Sequence, residues 1–140
     1  NAFSWLVSYA GIPQMLSSGI FANVTSPTLV LTIVSVFFFI ACMFVDSIPV
    51  IIIMSPIIYP IAMQVGVDPI HLGIIVTLQS AIGCVTPPFG CNIFTACGIF
   101  HQKFTTVIQG LLPYMGINIF ISIVMVIFPS FATLSRDLLM

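Results

Sequence analysis

The chain has 140 residues, 60% of them hydrophobic and 4% charged, and a formal net charge of −1 at pH 7. An ordinary soluble domain carries roughly 25% charged residues, so this composition excludes that class and indicates an integral membrane protein. Two basic and three acidic residues are too few for the basic face that nucleic acid binding requires. We therefore expect the lipid bilayer as a partner and no nucleic acid.

The first predicted element is a connector helix over residues 13–22. Pro13 opens it, and its polar side chains favour an amphipathic helix lying at the membrane interface over a membrane span. The chain begins at Asn1 inside an apolar pattern, without an initiator methionine or the features of a signal peptide. We expect the chain to be a fragment of a longer protein.

An apolar region occupies residues 28–65 and is divided near its middle. Its first part contains no charge up to Val45 and is close to the minimum length for a membrane span. Pro49 then removes the helical hydrogen-bond donor of the Val45 carbonyl and ends that helix. The sequence leaves two topologies open, a re-entrant hairpin with its tip at residues 42–48 and two full spans joined at the surface.

Asp46 lies between these two apolar pieces, where an ionisable group needs a partner or water. One interpretation makes it a cation ligand or a polar lining at the hairpin tip. The other makes it a helix cap at the membrane surface, where aspartate is common. The sequence is consistent with both.

The turn at residues 66–69 begins the next helix, with Asp68 as the N-cap and Pro69 in the first turn. His71 lies at the start of that helix rather than in mid-span, which is more typical of an interfacial residue than of a proton relay. We predict a structural role for Asp68 and an interfacial position for His71.

A double proline interrupts the following apolar segment, for which we predict a broken helix over residues 69–100. Pro87 and Pro88 have no backbone N–H, so the carbonyls of Gly83 and Cys84, four residues earlier, lose their helical partners. An unpaired backbone group in hydrocarbon costs several kcal/mol, so such a break survives only where protein shields it or where it lines a hydrated cavity. The break is therefore the predicted functional site.

The two halves of the broken helix present opposite charges to the break. The first half is predicted to end near Val85 with its negative dipole end, which suits a small cation, and the second to begin near Phe89 with free N–H groups, which suit an anion. Thr86 and Asn92 add side-chain oxygens. This is the chemistry of an ion-coupled carrier of an anionic solute. The alternative is a proline-kinked helix whose freed carbonyls bond to nearby serine and threonine hydroxyls.

The last predicted span covers residues 105–128. We expect Pro113 to bend it and interpret it as a scaffold helix whose Asn118 bonds to a neighbouring element. Lys103 and Arg136 lie at opposite ends of this span, so the distribution of positive charge does not decide its orientation.

The cysteines and histidines do not form a recognisable reactive centre. The spacing of the four cysteines matches neither a paired zinc motif nor a small disulfide framework. No Ser-His-Asp, Cys-His or clustered His-carboxylate pattern occurs near the break. We expect that the protein is not an enzyme.

Two segments of the chain carry a family resemblance: CMFVDSIPVIIIMSPIIYPIAMQVGVDPIHLGIIV and AIGCVTPPFGCNIFTACGIF. With the GVDP turn, the histidine that follows it and the pattern AIG-x-x-TPP-x-G-x-N, they resemble the C-terminal part of the large membrane subunit of TRAP transporters, the DctM-like permease family. The resemblance runs from about Ala2 through the last span. It implies an all-α integral membrane protein with an elevator-type fold, in which this chain supplies the second inverted repeat with a re-entrant hairpin and a broken transmembrane helix.

The resemblance also implies a function. It implies secondary active uptake of an organic anion, such as a C4-dicarboxylate or sialic acid, driven by sodium across the bacterial inner membrane. The partners implied are a small DctQ-like membrane subunit and a periplasmic substrate-binding protein. The first repeat, with its own sodium site, lies outside this chain. A binding-protein-independent anion:sodium symporter, an ion channel and a purely structural subunit remain as alternatives.

Site residues follow from the resemblance, position by position. The implied sodium ligands are the backbone of Cys42, the backbone of Gly83, Thr86 and the backbone of Phe89. The implied substrate contacts are Asp46, Ser47, Pro88 and Asn92. The family usually has glycine at the position of Cys42, as in GMFMD against CMFVD, so the close backbone approach that a glycine permits is in question here.

Overall fold

The computed structural model describes Tyr9, Gly11, residues 26–129 and Phe131. Within these residues the regular structure is α-helical and contains no strand, which confirms the predicted all-α class. The helices are α1 (Pro27–Phe44), α2 (Ser47–Gln64), α3 (Pro69–Cys84), α4 (Cys91–Phe100) and α5 (Phe104–Ile127). The predicted connector helix over residues 13–22 lies outside the described residues.

Three of the helices, α1, α2 and α5, are long and apolar enough to cross a membrane, with 18, 18 and 24 residues. The other two, α3 and α4, have 16 and 10 residues and are the two halves of the predicted broken helix. The chain is therefore a multi-pass membrane protein in which one membrane-length segment is divided.

A connection of only two residues joins α1 to α2. The Val45 N–H bonds to the Ala41 carbonyl at 3.0 Å and closes α1. Asp46 then caps α2, because its Oδ1 accepts the Ser47 N–H at 2.7 Å. The structure thus shows Asp46 as a helix cap, while the choice between a re-entrant hairpin and two full spans stays a prediction.

The core lies mainly where α1 packs along α3, and α2 and α5 add to it. Its fully buried side chains include Phe38, Ile75, Val30 and Val34. Helix α3 is the central element, since it also contacts α2, α4 and α5. The residues before the break are therefore surrounded by protein on several sides.

A histidine attaches α5 to the start of α3. His71 is 2% exposed, and its Nε2 donates to the Met125 carbonyl at 2.8 Å. Pro129, four residues after Met125, has no N–H to offer this carbonyl, so the imidazole replaces the missing helical donor. The structural role of Asp68 as N-cap is confirmed by its bonds to the N–H groups of Ile70 and His71. The ring of His71 is buried between helices at the start of α3, and its interfacial position in the membrane stays a prediction.

The other end of α5 lies against α4. Phe104 stacks on Phe94 with ring centroids 5.3 Å apart, so α5 reaches from one half of the broken helix to the other. The helix is continuous through Pro113. The prediction that Asn118 bonds to a neighbouring element is wrong for the described residues, because its Nδ2 donates to the Tyr114 carbonyl one turn earlier in α5.

Candidate functional site

The break occupies residues 85–90, between the end of α3 at Cys84 and the start of α4 at Cys91. The predicted end of the first half near Val85 is confirmed. The second half begins two residues later than predicted from Phe89, because Gly90 has a left-handed backbone with φ +46° and serves as the N-cap. The double proline lies inside this segment, as the sequence indicated.

The last turn of α3 tightens before the prolines. The Thr86 N–H bonds to the Gly83 carbonyl at 3.0 Å, and the Val85 N–H bonds to the Ile82 carbonyl at 3.2 Å. These are i→i+3 bonds, which helices use to satisfy carbonyls near their C-termini. The prediction that Gly83 is left without a hydrogen-bond partner is therefore wrong, because the N–H groups of both Thr86 and Val85 point to its carbonyl.

The carbonyl of Cys84 is the one that the prolines strand. Pro87 and Pro88 stand at the two positions from which a helical N–H would reach it, and neither has an N–H. No other hydrogen bond to this oxygen occurs among residues 26–129. The prolines thus strand the Cys84 carbonyl, as predicted, but not the Gly83 carbonyl.

Helices α1 and α3 approach each other closely beside this end of α3. A Cβ added to Gly83 would lie 2.7 Å from the Cys42 Cβ and 2.8 Å from the Phe39 carbonyl oxygen. Real Cβ atoms do not approach other heavy atoms so closely. The glycine that permits the close approach is therefore Gly83, and the fully buried Cys42 side chain fits in the space that it leaves.

The break segment is also fixed to the C-terminal end of α1. The Gly90 N–H donates to the Met43 carbonyl at 3.2 Å, and the rings of Phe44 and Phe89 lie 5.8 Å apart. Two helix C-termini, those of α1 and α3, therefore meet next to the break. Both contribute partial negative charge from their last carbonyls, which favours a cation between them.

The structure brings the four predicted sodium residues to this junction. Cys42 contacts Gly83, Thr86 is buried one turn beyond Gly83, and Phe89 packs on the residue that ends α1. The Thr86 hydroxyl donates its proton to the Ile82 carbonyl at 2.7 Å, so the lone pairs of its oxygen stay available. Backbone and hydroxyl oxygens are hard ligands that suit an alkali cation. The described residues contain no group of three or more His, Cys, Asp or Glu side chains that would indicate another metal.

The four predicted substrate residues lie next to the helix ends that meet at this junction. Asp46 and Ser47 follow the end of α1, while Pro88 and Asn92 lie before and within the first turn of α4. Asp46, Pro88 and Asn92 are exposed, and Ser47 is half-buried. Whether they contact a substrate stays a prediction.

Two contacts at the site were not predicted from the sequence. The bond between Gly90 and Met43 joins residues far apart in the chain, and no local pattern indicates it. The aromatic contact between Phe44 and Phe89 is equally non-local. Gly90, three residues after Pro87, was the only sequence signal for a close contact here, since glycine marks a backbone position with little steric restriction.

These features define a class of protein: a multi-pass, all-α membrane protein in which a discontinuous helix meets the end of a neighbouring helix, an arrangement found in many secondary transporters. The family described as "Tripartite ATP-independent periplasmic transporter, DctM component" matches residues 1–131. The chain belongs to this family of TRAP transporter permeases. Because these are transport proteins, the expectation that the chain is not an enzyme is confirmed.

Curated relatives cover nearly all of the chain. It is 44% identical over 138 residues to the ectoine TRAP transporter large permease protein TeaC of Halomonas elongata, covering 99% of this chain and 32% of that protein. It is 43% identical to the ectoine/5-hydroxyectoine large permease protein UehC of Ruegeria pomeroyi, covering 98% and 32%. It is 31% identical to the C4-dicarboxylate large permease protein DctM of Vibrio cholerae, covering 92% and 28%. The chain thus spans about a third of the length of these relatives.

Proposed function

We propose that the full-length protein performs sodium-coupled uptake of a small organic carboxylate across the bacterial inner membrane, as the large permease of a TRAP transporter. In this proposal it works with a small membrane subunit and a periplasmic substrate-binding protein. The observation that supports it most directly is the junction of two helix C-termini, those of α1 and α3, at the break. Membership of the TRAP permease family supports the same conclusion.

The cation in this proposal binds to oxygens on both sides of the junction. Its ligands are the backbone carbonyls of Cys42, Gly83 and Phe89 and the hydroxyl of Thr86. The two helix dipoles supply negative potential without a carboxylate, so Na⁺ binds without neutralising a fixed charge. Cation binding would hold the break segment against the end of α1.

The solute in this proposal lies beyond the cation, at the first turn of α4. The free N–H groups and positive dipole end of that helix suit a carboxylate, and Asn92 provides an amide donor there. Asp46, Ser47 and Pro88 would line the opposite side. Because Na⁺ and the carboxylate bind to the same segment, each is expected to raise the affinity of the other.

The relatives narrow the class of solute. The identity to two ectoine permeases is 44% and 43%, against 31% for a C4-dicarboxylate permease. We propose ectoine or a similar small zwitterionic carboxylate as the substrate. A panel of ectoine, succinate and sialic acid, each with its own binding protein, would test this choice in reconstituted vesicles.

The proposed sodium ligand Thr86 is the most direct target for a variant. In the full-length assembled transporter, Thr86→Ala should raise the half-saturating Na⁺ concentration for uptake about tenfold, because a hydroxyl that contacts a charge is lost. Protein abundance should fall much less. Sodium titration of uptake in proteoliposomes measures the first effect and quantitative immunoblotting the second.

Thr95→Ala is a matched control for this variant. The Thr95 hydroxyl also bonds to the carbonyl four residues earlier, that of Cys91 at 3.1 Å, but it lies on the exposed side of α4. Its removal should leave sodium activation unchanged. A Thr86→Ala transporter with normal sodium activation would count against the assignment. Uptake that proceeds without the binding protein would favour the binding-protein-independent symporter, and non-saturable flux would favour a channel.

A further inference from the structure

The amide of Gln79 joins three helices in the protein interior. Its Nε2 donates to the hydroxyl of Ser35 in α1 and to the hydroxyl of Ser122 in α5. The three side chains are 5%, 7% and 6% exposed. A buried amide with two partners on different helices defines the position of those helices, because each bond is directional and is strengthened by the low dielectric of the interior.

One of these two bonds belongs to the interface that carries the proposed sodium site. Ser35 and Cys42 are seven residues apart in α1, which places them two turns apart on the same face. Gln79 and Gly83 are four residues apart in α3 and also share a face. The bond between Gln79 and Ser35 therefore lies on the same α1–α3 interface as the contact between Cys42 and Gly83.

We propose that Gln79 is a positioning residue that sets how closely α1 approaches α3 at Cys42, and that it does so through Ser35. The link to cation affinity rests on the proposed function, since it assumes that the Cys42 carbonyl is a ligand. The bond to Ser122 serves a different purpose, the attachment of α5, which His71 also secures at the Met125 carbonyl. Loss of the two bonds should therefore have different consequences.

Ser35→Ala and Ser122→Ala form a matched pair for the test. Each removes one equally buried hydroxyl and leaves Gln79 with one partner. Both should lower the melting temperature of the full-length transporter to a similar degree. Only Ser35→Ala should loosen the contact at Cys42, which is fully buried in the parent structure.

Two measurements report on this contact. The first is the rate at which N-ethylmaleimide labels Cys42 in the full-length transporter, followed by peptide mass spectrometry, with the half-buried Cys97 of α4 as an internal reference. The second is the half-saturating Na⁺ concentration for uptake. Ser35→Ala should raise both the labelling rate of Cys42 and the half-saturating Na⁺ concentration by about threefold to tenfold, which is the strength of a polar contact between membrane helices. Ser122→Ala should change neither quantity by more than about twofold.

The outcomes separate this inference from the proposed function. Equal labelling of Cys42 in both variants, or unchanged labelling in Ser35→Ala, would overturn the positioning role, whatever the sodium data show. Selective labelling of Cys42 in Ser35→Ala, in a parent transporter whose uptake needs no Na⁺, would support the positioning role and reject the sodium site. If Ser35→Ala, but not Ser122→Ala, raised both the labelling rate of Cys42 and the half-saturating Na⁺ concentration, the positioning role and the sodium site would both be supported.

Discussion

Gly83→Ala is expected to reduce sodium-dependent uptake by tenfold or more. The new Cβ would lie 2.7 Å from the Cys42 Cβ and 2.8 Å from the Phe39 carbonyl oxygen. A flexible side chain cannot relieve this overlap, because one of the two atoms belongs to the backbone of α1. The helices must separate, and overpacking of this kind costs about 1–3 kcal/mol. Separation also moves the Cys42 and Gly83 carbonyls apart, so the cation site loses its geometry.

The matched control for this variant is Gly73→Ala in the same helix. A Cβ at Gly73 meets nothing within 4 Å, so this change should be neutral or stabilise α3 by up to about 1 kcal/mol. Adding Cys42→Gly to Gly83→Ala removes one of the two overlaps and should restore part of the uptake. Uptake by Gly83→Ala equal to that of Gly73→Ala would show that the contact between α1 and α3 is not needed.

Gly90→Ala is expected to have the second largest effect. Gly90 has φ +46°, a left-handed conformation that costs other residues about 1–2 kcal/mol. In addition, a Cβ would lie 2.8 Å from the Ile93 Cδ1 and 2.9 Å from the Thr86 carbonyl oxygen. The break segment should shift and lose its bond to the Met43 carbonyl. We expect a lower melting temperature, measured by differential scanning fluorimetry, and severalfold weaker sodium activation of uptake.

Gly66→Ala is a control that introduces backbone strain without the steric contacts expected for Gly90→Ala. Gly66 also has a positive φ, of +78°, but a Cβ there meets nothing within 4 Å. It should lower the melting temperature and leave sodium activation unchanged. If Gly90→Ala behaved like Gly66→Ala in both assays, the break segment would have no specific role in cation binding.

Much of the helical framework was predictable because proline and apolar composition act locally. The double proline predicted the break, and the turn around Asp68 predicted the start of α3, since missing N–H groups and capping carboxylates constrain the nearest few residues. The start of α4 was predicted two residues early. The left-handed N-cap at Gly90 is responsible, and proline counting alone does not show it.

Contacts between helices were less predictable because they depend on packing. The Gly83 carbonyl accepts an i→i+3 bond from the tightened last turn of α3, and counting only i→i+4 bonds misses it. The partner of His71 is the Met125 carbonyl, 54 residues away in the chain, which Pro129 leaves without a helical donor. The roles of Gln79 and Ser35 depend equally on where α1 meets α3. A single sequence contains the residue types for these contacts but not their pairing.

Thermal unfolding in NaCl and in KCl at equal ionic strength is the simplest test for a sodium site at the break. It uses the purified full-length transporter without substrate, so it depends on neither the solute nor the binding protein. We expect NaCl to raise the melting temperature above the value in KCl, because Na⁺ binds the folded state. Thr86→Ala should shrink this difference, while Thr95→Ala should preserve it. Identical melting temperatures of the parent transporter in saturating NaCl and in KCl would contradict a sodium site at the break.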